Sequence, residues 1–203
     1  MHSFKRVLIW LSSIIIIRTK RDEYIYLTFD DGPHPENTPK LLLVLEKHNV
    51  KATFFMVGKE IERYPEIAKR IYSMGHTLGY HSYDHSHAKD SSYKQVVYEL
   101  DHAKKLEGQY GLNFNGLYRP PYGALTLATL LAILVKGWKV ILWSKDSMDS
   151  YTDLENVCIN LSKENVEYGD IILLHDDYLN TASTIDLLLT EYKSSKLKCR
   201  SLR

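Results

Sequence analysis

From residue 24 onward, short apolar runs alternate with longer segments in which apolar side chains recur every three or four positions. The short runs are typical of buried strands in a parallel sheet, and the longer segments are typical of helices that cover it. The predicted strands are Tyr24–Phe29, Ala52–Val57, Thr77–His81, Gly116–Arg119, Lys139–Trp143, Asp170–Leu174 and Leu197–Leu202. The predicted helices run from Asn37 or Thr38 to His48 and over Lys59–Met74, Ser91–Gln109, Thr126–Lys136, Thr152–Val166 and Ala182–Lys193.

Proline and glycine refine this pattern. Pro65 lies inside the second helical segment and predicts a break there, because proline lacks the N–H that an interior helical position needs. Gly75 follows the same segment and predicts its C-terminal cap. No linker or repeat divides the alternation of strand and helix, so we expect one α/β domain over residues 24–203, with helices outside a parallel sheet.

The N-terminal segment has a different pattern. Lys5 and Arg6 precede the apolar run Val7–Ile17, and the basic cluster Arg18–Arg21 follows it. This run is shorter than the roughly 17 residues of a membrane-spanning helix. It fits the hydrophobic region of an export signal, although no small-x-small cleavage site follows. A short uncleaved anchor, an imperfect signal and a misassigned gene start all stay open, and the pattern favours the first two.

The prediction for residues 1–23 is therefore a signal or short membrane anchor, with membrane contact through residues 7–17. That prediction implies a location in the cell envelope or outside the cell. If the segment is not a signal, the protein is cytoplasmic.

Composition narrows the range of partners. The chain has 26 basic and 25 acidic residues, a formal net charge of +1, so there is no electrostatic case for binding nucleic acid. Most of the 15 tyrosines are expected in the core, although some suit stacking on sugars. Cys158 and Cys199 are the two cysteines, and the sequence leaves open whether they form a disulfide or are free thiols.

Chemically reactive side chains follow the carboxyl ends of the predicted strands. In a parallel α/β sheet, the loops at these ends carry the active site. The groups concerned, in chain order, are Asp30-Asp31, His81 to His85, Arg119 to Gly123, Asp146 with Asp149, and His175-Asp176. Their common position predicts that they meet at one edge of the sheet.

Asp30-Asp31 and the pair His81/His85 suggest a metal site. The two histidines are four apart, so one helical turn would place both imidazoles on one face. With one carboxylate they form three ligands of two types, a set typical of catalytic zinc. Each feature alone has a plainer interpretation. Asp-Asp-Gly-Pro is also typical of a surface turn, and a single His-x-x-x-His pair is weak evidence for metal binding.

The ordered set resembles the NodB-like polysaccharide deacetylases, carbohydrate esterase family 4, from Tyr24 to the C-terminus. Five family motifs recur in order. The first three, Thr-Phe-Asp-Asp, His-Ser/Thr-x-x-His and Arg-x-Pro-Tyr/Phe-Gly, match Thr28–Asp31, His81–His85 and Arg119–Gly123. The fourth, Asp-x-x-Asp-Trp, matches Asp146 and Asp149, but Ser150 stands where tryptophan is usual. The fifth, Leu-x-His, matches Leu173–His175.

This resemblance implies a fold and a metal. The fold is a distorted (β/α) barrel of about seven parallel strands. Asp31, His81 and His85 are implied as ligands of a divalent metal, most often zinc in the family, with cobalt or nickel as alternatives. The substrate implied is an acetylated carbohydrate, and the reaction is removal of N-acetyl groups from N-acetylglucosamine units of a peptidoglycan-like or chitin-like polymer.

The resemblance also assigns roles around the metal. Asp30 is implied as the base that takes a proton from the attacking water, and Arg119 as the group that orients Asp30 and keeps it ionised. His175 is implied as the acid that protonates the departing amine, held by Asp149 in the correct tautomer and with a raised pKa. The backbone N–H of Tyr122 would stabilise the oxyanion, and Leu173 would line the pocket for the acetyl methyl group.

Some positions and functions stay open. Ser150 removes a usual apolar wall, which Trp143 or Tyr151 could supply instead, and Tyr80 stands where the family often has asparagine. Asp146 is as consistent with a loop role as with a catalytic one. Asp176 and Asp177 are expected to be loop or helix-start carboxylates rather than ligands. The alternative functions are an O-acetyl esterase of the xylan type and a non-catalytic saccharide-binding relative.

Overall fold

The computed structural model describes residues 14–19, 23–86 and 92–203. Within these residues, eight short strands form one sheet in which every ladder is parallel. The strands are β1 (Ile15–Ile16), β2 (Tyr26–Asp30), β3 (Thr53–Met56), β4 (Thr77–Tyr80), β5 (Leu117–Tyr118), β6 (Lys139–Ile141), β7 (Lys145–Asp146) and β8 (Ile171–His175). Their order across the sheet is β1-β6-β5-β4-β3-β2-β8-β7, so β2 and β3 lie at its centre.

Seven α-helices connect these strands in the described part of the chain. They are α1 (Asn37–Lys47), α2 (Gly58–Arg63), α3 (Pro65–Ser73), α4 (Tyr93–Tyr110), α5 (Leu127–Lys136), α6 (Leu154–Asn160) and α7 (Thr181–Ser194). The predicted break at Pro65 is confirmed, because α2 ends at Arg63 and α3 begins with Pro65 in its first turn. A 3-10 turn, Pro121–Gly123, follows β5.

Helix caps agree with local sequence. Thr126 begins α5 by accepting a hydrogen bond from the Thr129 N–H, and Gly137 ends that helix in the left-handed conformation that glycine tolerates best. The sixth helix is shorter than the predicted Thr152–Val166. Asp153 caps its start by accepting from the Asn156 N–H, and the helix ends at Asn160.

Alternate strand residues divide the core into two layers. One layer holds residues such as Phe29 and Phe54 together with the buried faces of the helices. The other is a smaller cluster on the opposite side of the sheet, formed by Tyr26, Phe55, Leu117, Ile141, Ile171 and Leu202. Period-two alternation within each strand produces this division. The side of this smaller cluster is the side from which the candidate site is built.

The predicted strand Leu197–Leu202 is wrong. Both edges of β2 are already paired, with β3 and with β8, so only Ile25, one residue before the ladder, can pair with this segment, through a single bridge to Cys199. The segment instead crosses the amino ends of the strands. The Leu202 N–H donates to Thr53 Oγ1, and Thr77 Oγ1 donates to the Leu202 carbonyl. It therefore closes the end of the sheet opposite the reactive side chains.

The two-residue strands β1 and β7 were missed by the sequence pattern. Ile15 and Ile16, at the end of the predicted signal or anchor segment, pair with Val140 and Ile141. Residues 1–13 and 20–22 lie outside the described residues, so the assignment of residues 1–23 stays a prediction. Among the residues that the structure describes, no helix has the length and apolar character needed to cross a membrane. Cys158 and Cys199 are free thiols.

Candidate active site

The predicted site residues gather at the carboxyl ends of neighbouring strands. Asp30 ends β2, His81 follows β4, Arg119 follows β5 and His175 ends β8. The parallel ladders align these ends, and Asp30 is directly paired with His175 in the register of β2 and β8. The topology therefore places four side chains of three chemical types within one cluster.

Asp31, His81 and His85 form a three-residue cluster suited to a metal ion. Their ligand atoms lie within 4.8 Å of one another. Asp31 Oδ1 is 3.5 Å from His81 Nε2 and 3.3 Å from His85 Nε2. The same oxygen is buried and has no hydrogen-bond partner among the described residues. A buried carboxylate oxygen facing two imidazole nitrogens fits a divalent cation, which would satisfy all three atoms.

The tautomer of His81 is set by the backbone. Its Nδ1 lies 2.7 Å from the carbonyl oxygen of Arg119, which can only accept, so Nδ1 carries the proton and Nε2 has the free lone pair. Burial lowers the pKa of His81 to about 3, even though the charge of Asp31 opposes this shift. His81 is therefore a neutral imidazole with the nitrogen that faces Asp31 available as a ligand.

His81 and His85 do not meet across a helical turn, although their four-residue spacing predicts one. The loop between them turns through positive φ angles at Ser82 (64°) and His85 (58°). Ser82 Oγ accepts a hydrogen bond from the His85 N–H and holds the turn. The four-residue spacing thus brings the two rings to a centroid distance of 4.9 Å by a different backbone path. Asp31 also has a positive φ of 75°, so two of the three candidate ligands lie on turned backbone.

Asp30 and Arg119 form a buried ion pair beside this cluster. Arg119 Nη1 lies 2.7 Å from Asp30 Oδ1, and the arginine side chain is 0% exposed. Its guanidinium also donates to Thr28 Oγ1 and to the carbonyls of Ile141 and Leu142, so all three nitrogens have acceptors. Burial raises the pKa of Asp30, and the positive charge of Arg119 opposes that shift without outweighing it. Arg119 therefore holds the carboxylate in position and favours its ionised form.

His175 is held by Asp149. The ring Nδ1–H donates to Asp149 Oδ1 at 2.7 Å, and the backbone N–H of His175 donates to Asp149 Oδ2 at 2.8 Å. Burial by itself lowers the pKa of His175, but the hydrogen bond and charge of Asp149, together with the charges of Asp30 and Asp31, raise it to about 9. The imidazolium form is thus present at neutral pH and can donate a proton from Nε2.

These groups face a common cavity of about 390 Å³. Its lining residues are Asp30, Asp31, His81, His85, Tyr122, Trp143, Asp146, Ser150, Tyr151, Leu173, His175 and Tyr178. Arg119 and Asp149 are not in the lining and act on Asp30 and His175 from behind. Tyr122 has a φ of 56° and its ring lies 4.7 Å from that of His85, so the turn after β5 places the Tyr122 ring beside the three-residue cluster.

The residues whose roles the sequence leaves open differ in their position relative to the cavity. Trp143 and Tyr151 both line the cavity, while Tyr80 packs in the helix-covered layer and does not. Asp146 also lines it, with one carboxylate oxygen accepting from the Met148 N–H. Asp176 is buried in the loop after β8 and accepts from Thr38 Oγ1, outside the three-residue cluster.

Sequence reasoning missed Tyr178, which packs edge-on against His175 at a centroid distance of 5.7 Å. Its position three residues after His175, in the same loop, was the available signal.

Comparison with known proteins identifies the family. The family profile described as polysaccharide deacetylase matches residues 17–141, more than half of the chain. The chain belongs to the polysaccharide deacetylase family. The membership predicted from the five motifs is confirmed, as are the parallel barrel-type fold and the class of enzyme, a hydrolase of carbon–nitrogen bonds other than peptide bonds.

The relatives of this deacetylase differ in how much of their own length the chain matches. It is 38% identical to the chitooligosaccharide deacetylase of Azorhizobium caulinodans, over 78% of this chain and 76% of that protein. It is 34% identical to the peptidoglycan-N-acetylglucosamine deacetylase PgdA of Listeria monocytogenes, over 87% of this chain but only 37% of that protein. The crystal structure of the Bc1960 peptidoglycan N-acetylglucosamine deacetylase superposes with a TM-score of 0.87 at 27% identity, covering 96% of this chain and 94% of that one.

Proposed function

We propose that this deacetylase removes N-acetyl groups from N-acetylglucosamine units of an oligo- or polysaccharide of the peptidoglycan or chitin type, with a divalent metal held by Asp31, His81 and His85. One observation carries the proposal. The cavity that contains this candidate metal cluster also contains a buried carboxylate, Asp30, and an acidic imidazole, His175. A base and an acid beside one electrophilic centre are what amide hydrolysis requires.

The three-residue cluster suits zinc. Two imidazole nitrogens and one carboxylate oxygen are a donor set typical of catalytic zinc, and cobalt or nickel would accept the same donors. When bound, the cation would supply Lewis-acid polarisation of the acyl carbonyl and make a water molecule more acidic. His81 is prepared for this role because its protonated Nδ1 is already engaged by the Arg119 carbonyl.

Asp30 is the proposed general base. Its Oδ2 lies 3.6 Å from His81 Nε2, next to the metal cluster, while its Oδ1 is held by Arg119. The oxygen on the cluster side is thus the one free to take a proton from an attacking water. Because burial raises the pKa of this carboxyl, it is a stronger base than an exposed aspartate.

His175 is the proposed general acid. Amide cleavage needs a proton on the departing nitrogen, since an amide anion is a very poor leaving group. Asp149 holds Nδ1, so Nε2 is the atom that can donate into the cavity, and the raised pKa keeps it protonated at neutral pH. Tyr122, through its backbone N–H, is the proposed additional donor to the oxyanion, and Leu173 the proposed wall beside the acyl methyl group.

Two alternatives make different demands on these residues. An O-acetyl esterase releases an alcohol and depends less on a strong acid, so the Asp149–His175 pair favours the amide substrate. A non-catalytic saccharide-binding relative has no need for a base, a complete ligand set and an acid in one cavity, and all of these are present among the described residues. A peptidoglycan substrate implies action in the cell envelope or outside the cell, in agreement with a signal in residues 1–23.

The test is acetate release from chitin oligomers, peptidoglycan fragments and acetylated xylan by the full chain, with zinc or cobalt added. We expect release from the N-acetyl substrates in preference to xylan. Asp30→Asn should keep the metal and lose at least about 100-fold in acetate release, the range expected for a general base. Normal turnover by this variant would exclude Asp30 as the base, and activity on xylan alone would favour the O-acetyl esterase.

A further inference from the structure

A second cavity lies beside the catalytic one, along the loop that carries His81 and His85. This space, the α4 cavity, has a volume of about 510 Å³ and is formed by that loop and the first half of α4. His81 and His85 line the catalytic cavity, whereas Tyr83, Asp84 and Ser86 line the α4 cavity. Tyr83 and His85 are two residues apart, so their Cα atoms are separated by at most about 7 Å. The two cavities are therefore close neighbours.

Three aromatic rings form a corner of the α4 cavity. The ring of Tyr83 is nearly perpendicular to that of His102, at an interplanar angle of 81° and a centroid distance of 4.9 Å. Tyr98 and His102 lie one helical turn apart on α4, and their ring planes are within 27° of each other. Tyr83 is held in place because its hydroxyl donates to Glu62. Tyr98 is 67% exposed, so the corner offers an accessible ring beside a fixed one.

The other five lining residues of the α4 cavity are hydrophilic: Asp84, Ser86, Lys94, Gln95 and Glu99. Three of them carry polar groups that make no hydrogen bond within the described part of the chain. These groups are the Lys94 ammonium, the Gln95 amide N–H groups and the Glu99 carboxylate. Only the carbonyl oxygen of Gln95 is engaged, since it accepts from the Ser92 N–H. Hydrogen-bond donors and acceptors are therefore both available next to the rings.

This combination of groups suits a sugar ring. The C–H face of a pyranose packs on an aromatic ring, while its hydroxyl groups both donate and accept hydrogen bonds. An anionic ligand is not favoured, because the lining carries two carboxylates, Asp84 and Glu99, against the single ammonium of Lys94. A purely apolar ligand would leave these charged groups without partners.

We propose that the α4 cavity binds a further sugar unit of the same polymer whose N-acetylglucosamine unit is deacetylated in the catalytic cavity. This inference rests on the proposed function and extends it to substrate length. Both cavities have exposed tyrosines in their linings, Tyr98 in one and Tyr122 in the other, so a polymer can reach both from the protein surface. An oligosaccharide that occupies both cavities gains a contact with Tyr98 that a smaller substrate lacks.

The experiment measures kcat/KM of the zinc-loaded full chain for chitopentaose and for 4-nitrophenyl acetate, which carries no sugar. In Tyr98→Ala the ratio of the first value to the second should fall about fivefold through a higher KM for chitopentaose, the effect expected for one lost stacking ring. Tyr98→Phe retains the ring and should retain the ratio. Tyr72→Ala is the matched control, because Tyr72 is a 40% exposed tyrosine on α3, outside both cavities, and its removal should not change the ratio.

The outcomes separate this inference from the proposed function. An unchanged ratio in Tyr98→Ala, or an equal fall in either of the other two variants, would overturn the inference. Release of acetate from chitopentaose by the native protein would in that case leave the proposed function intact. Failure of the native protein to release acetate from any N-acetyl substrate would overturn both.

Discussion

The carboxylate of Asp149 accepts two hydrogen bonds from a single residue, His175, one from the ring Nδ1–H at 2.7 Å and one from the backbone N–H at 2.8 Å. The first bond fixes the tautomer of the imidazole, and the second fixes the position of the carboxylate relative to the end of β8. Together they hold the ring so that Nε2 faces the cavity. Asp149 itself lies outside the lining of that cavity, so the proposed mechanism gives it a positioning role.

Asp149→Asn should move the basic limb of the pH profile. The carboxylate is a principal reason that the pKa of His175 rises to about 9, so its removal should lower that pKa. Because the protonated imidazole is the active form of an acid, activity would then be lost at a lower pH than in the native protein. We expect the basic limb of kcat to shift downward by at least about one pH unit. An unchanged limb would show that another group limits activity at high pH.

His175→Ala should affect substrates according to their leaving groups. An amine must be protonated as it departs, whereas the phenolate of an activated aryl acetate needs little help. We expect a loss of about 10²- to 10⁴-fold on chitotriose and a much smaller loss on 4-nitrophenyl acetate. The comparison of the two losses in the same preparation controls for damage to folding or metal binding. Equal losses on both substrates would argue against His175 as the acid.

His81→Ala and His85→Ala should each weaken metal binding. Each substitution removes one of only three protein donors, so we expect a fall in zinc affinity of more than about 100-fold, beyond the range seen for outer-sphere changes. The measurement is zinc per chain after dialysis, followed by titration with a chelating indicator. His102→Gln is the matched control, because His102 is a partly buried histidine whose close carboxylate is Glu62, outside the cluster. Full zinc content in His81→Ala would exclude the proposed ligand set.

The parts of this site that could be predicted are those tied to strand ends. Parallel pairing forces residues such as Asp30 and His175 to the same edge, so their chain positions are enough to predict that they meet. The helical interpretation of His81 and His85 was wrong because spacing does not determine a loop's dihedral angles, and here Ser82 and His85 both adopt positive φ.

The hydrophobic pattern also failed to predict the two-residue strands and wrongly predicted a strand at the C-terminus. A two-residue strand such as Ile15–Ile16 has too few residues to display alternation, and its pairing depends on an edge left open by β6. The segment Leu197–Leu202 shows the opposite error, since its residues suit a strand but no edge of β2 remains for more than one bridge. Strand propensity is local, whereas an available edge is a property of the whole sheet.

Arg119→Met should destabilise the fold, because it leaves the buried Asp30 carboxylate without a compensating positive charge. The guanidinium is fully buried and its other hydrogen bonds go to neutral carbonyl and hydroxyl groups, so Asp30 is its single ionised partner among the described residues. Breaking a buried pair by removing one member costs about 3–5 kcal/mol, because the remaining charge is uncompensated. Urea unfolding of the metal-free protein at neutral pH measures this loss.

The double variant Asp30→Asn/Arg119→Met separates charge from packing. With an amide at position 30 and methionine at position 119, neither position carries a buried charge. The double variant should therefore unfold at a higher urea concentration than Arg119→Met alone. The pH dependence provides a further check. Without Arg119, the pKa of Asp30 lies even further above its unfolded value, so the carboxyl must be protonated to stay buried. The stability of Arg119→Met should therefore fall as pH rises above about 4, the unfolded pKa of aspartate, while the double variant should lack this decline. If both variants are equally unstable at every pH, the contribution of Arg119 is packing against Phe55 rather than compensation of the Asp30 charge.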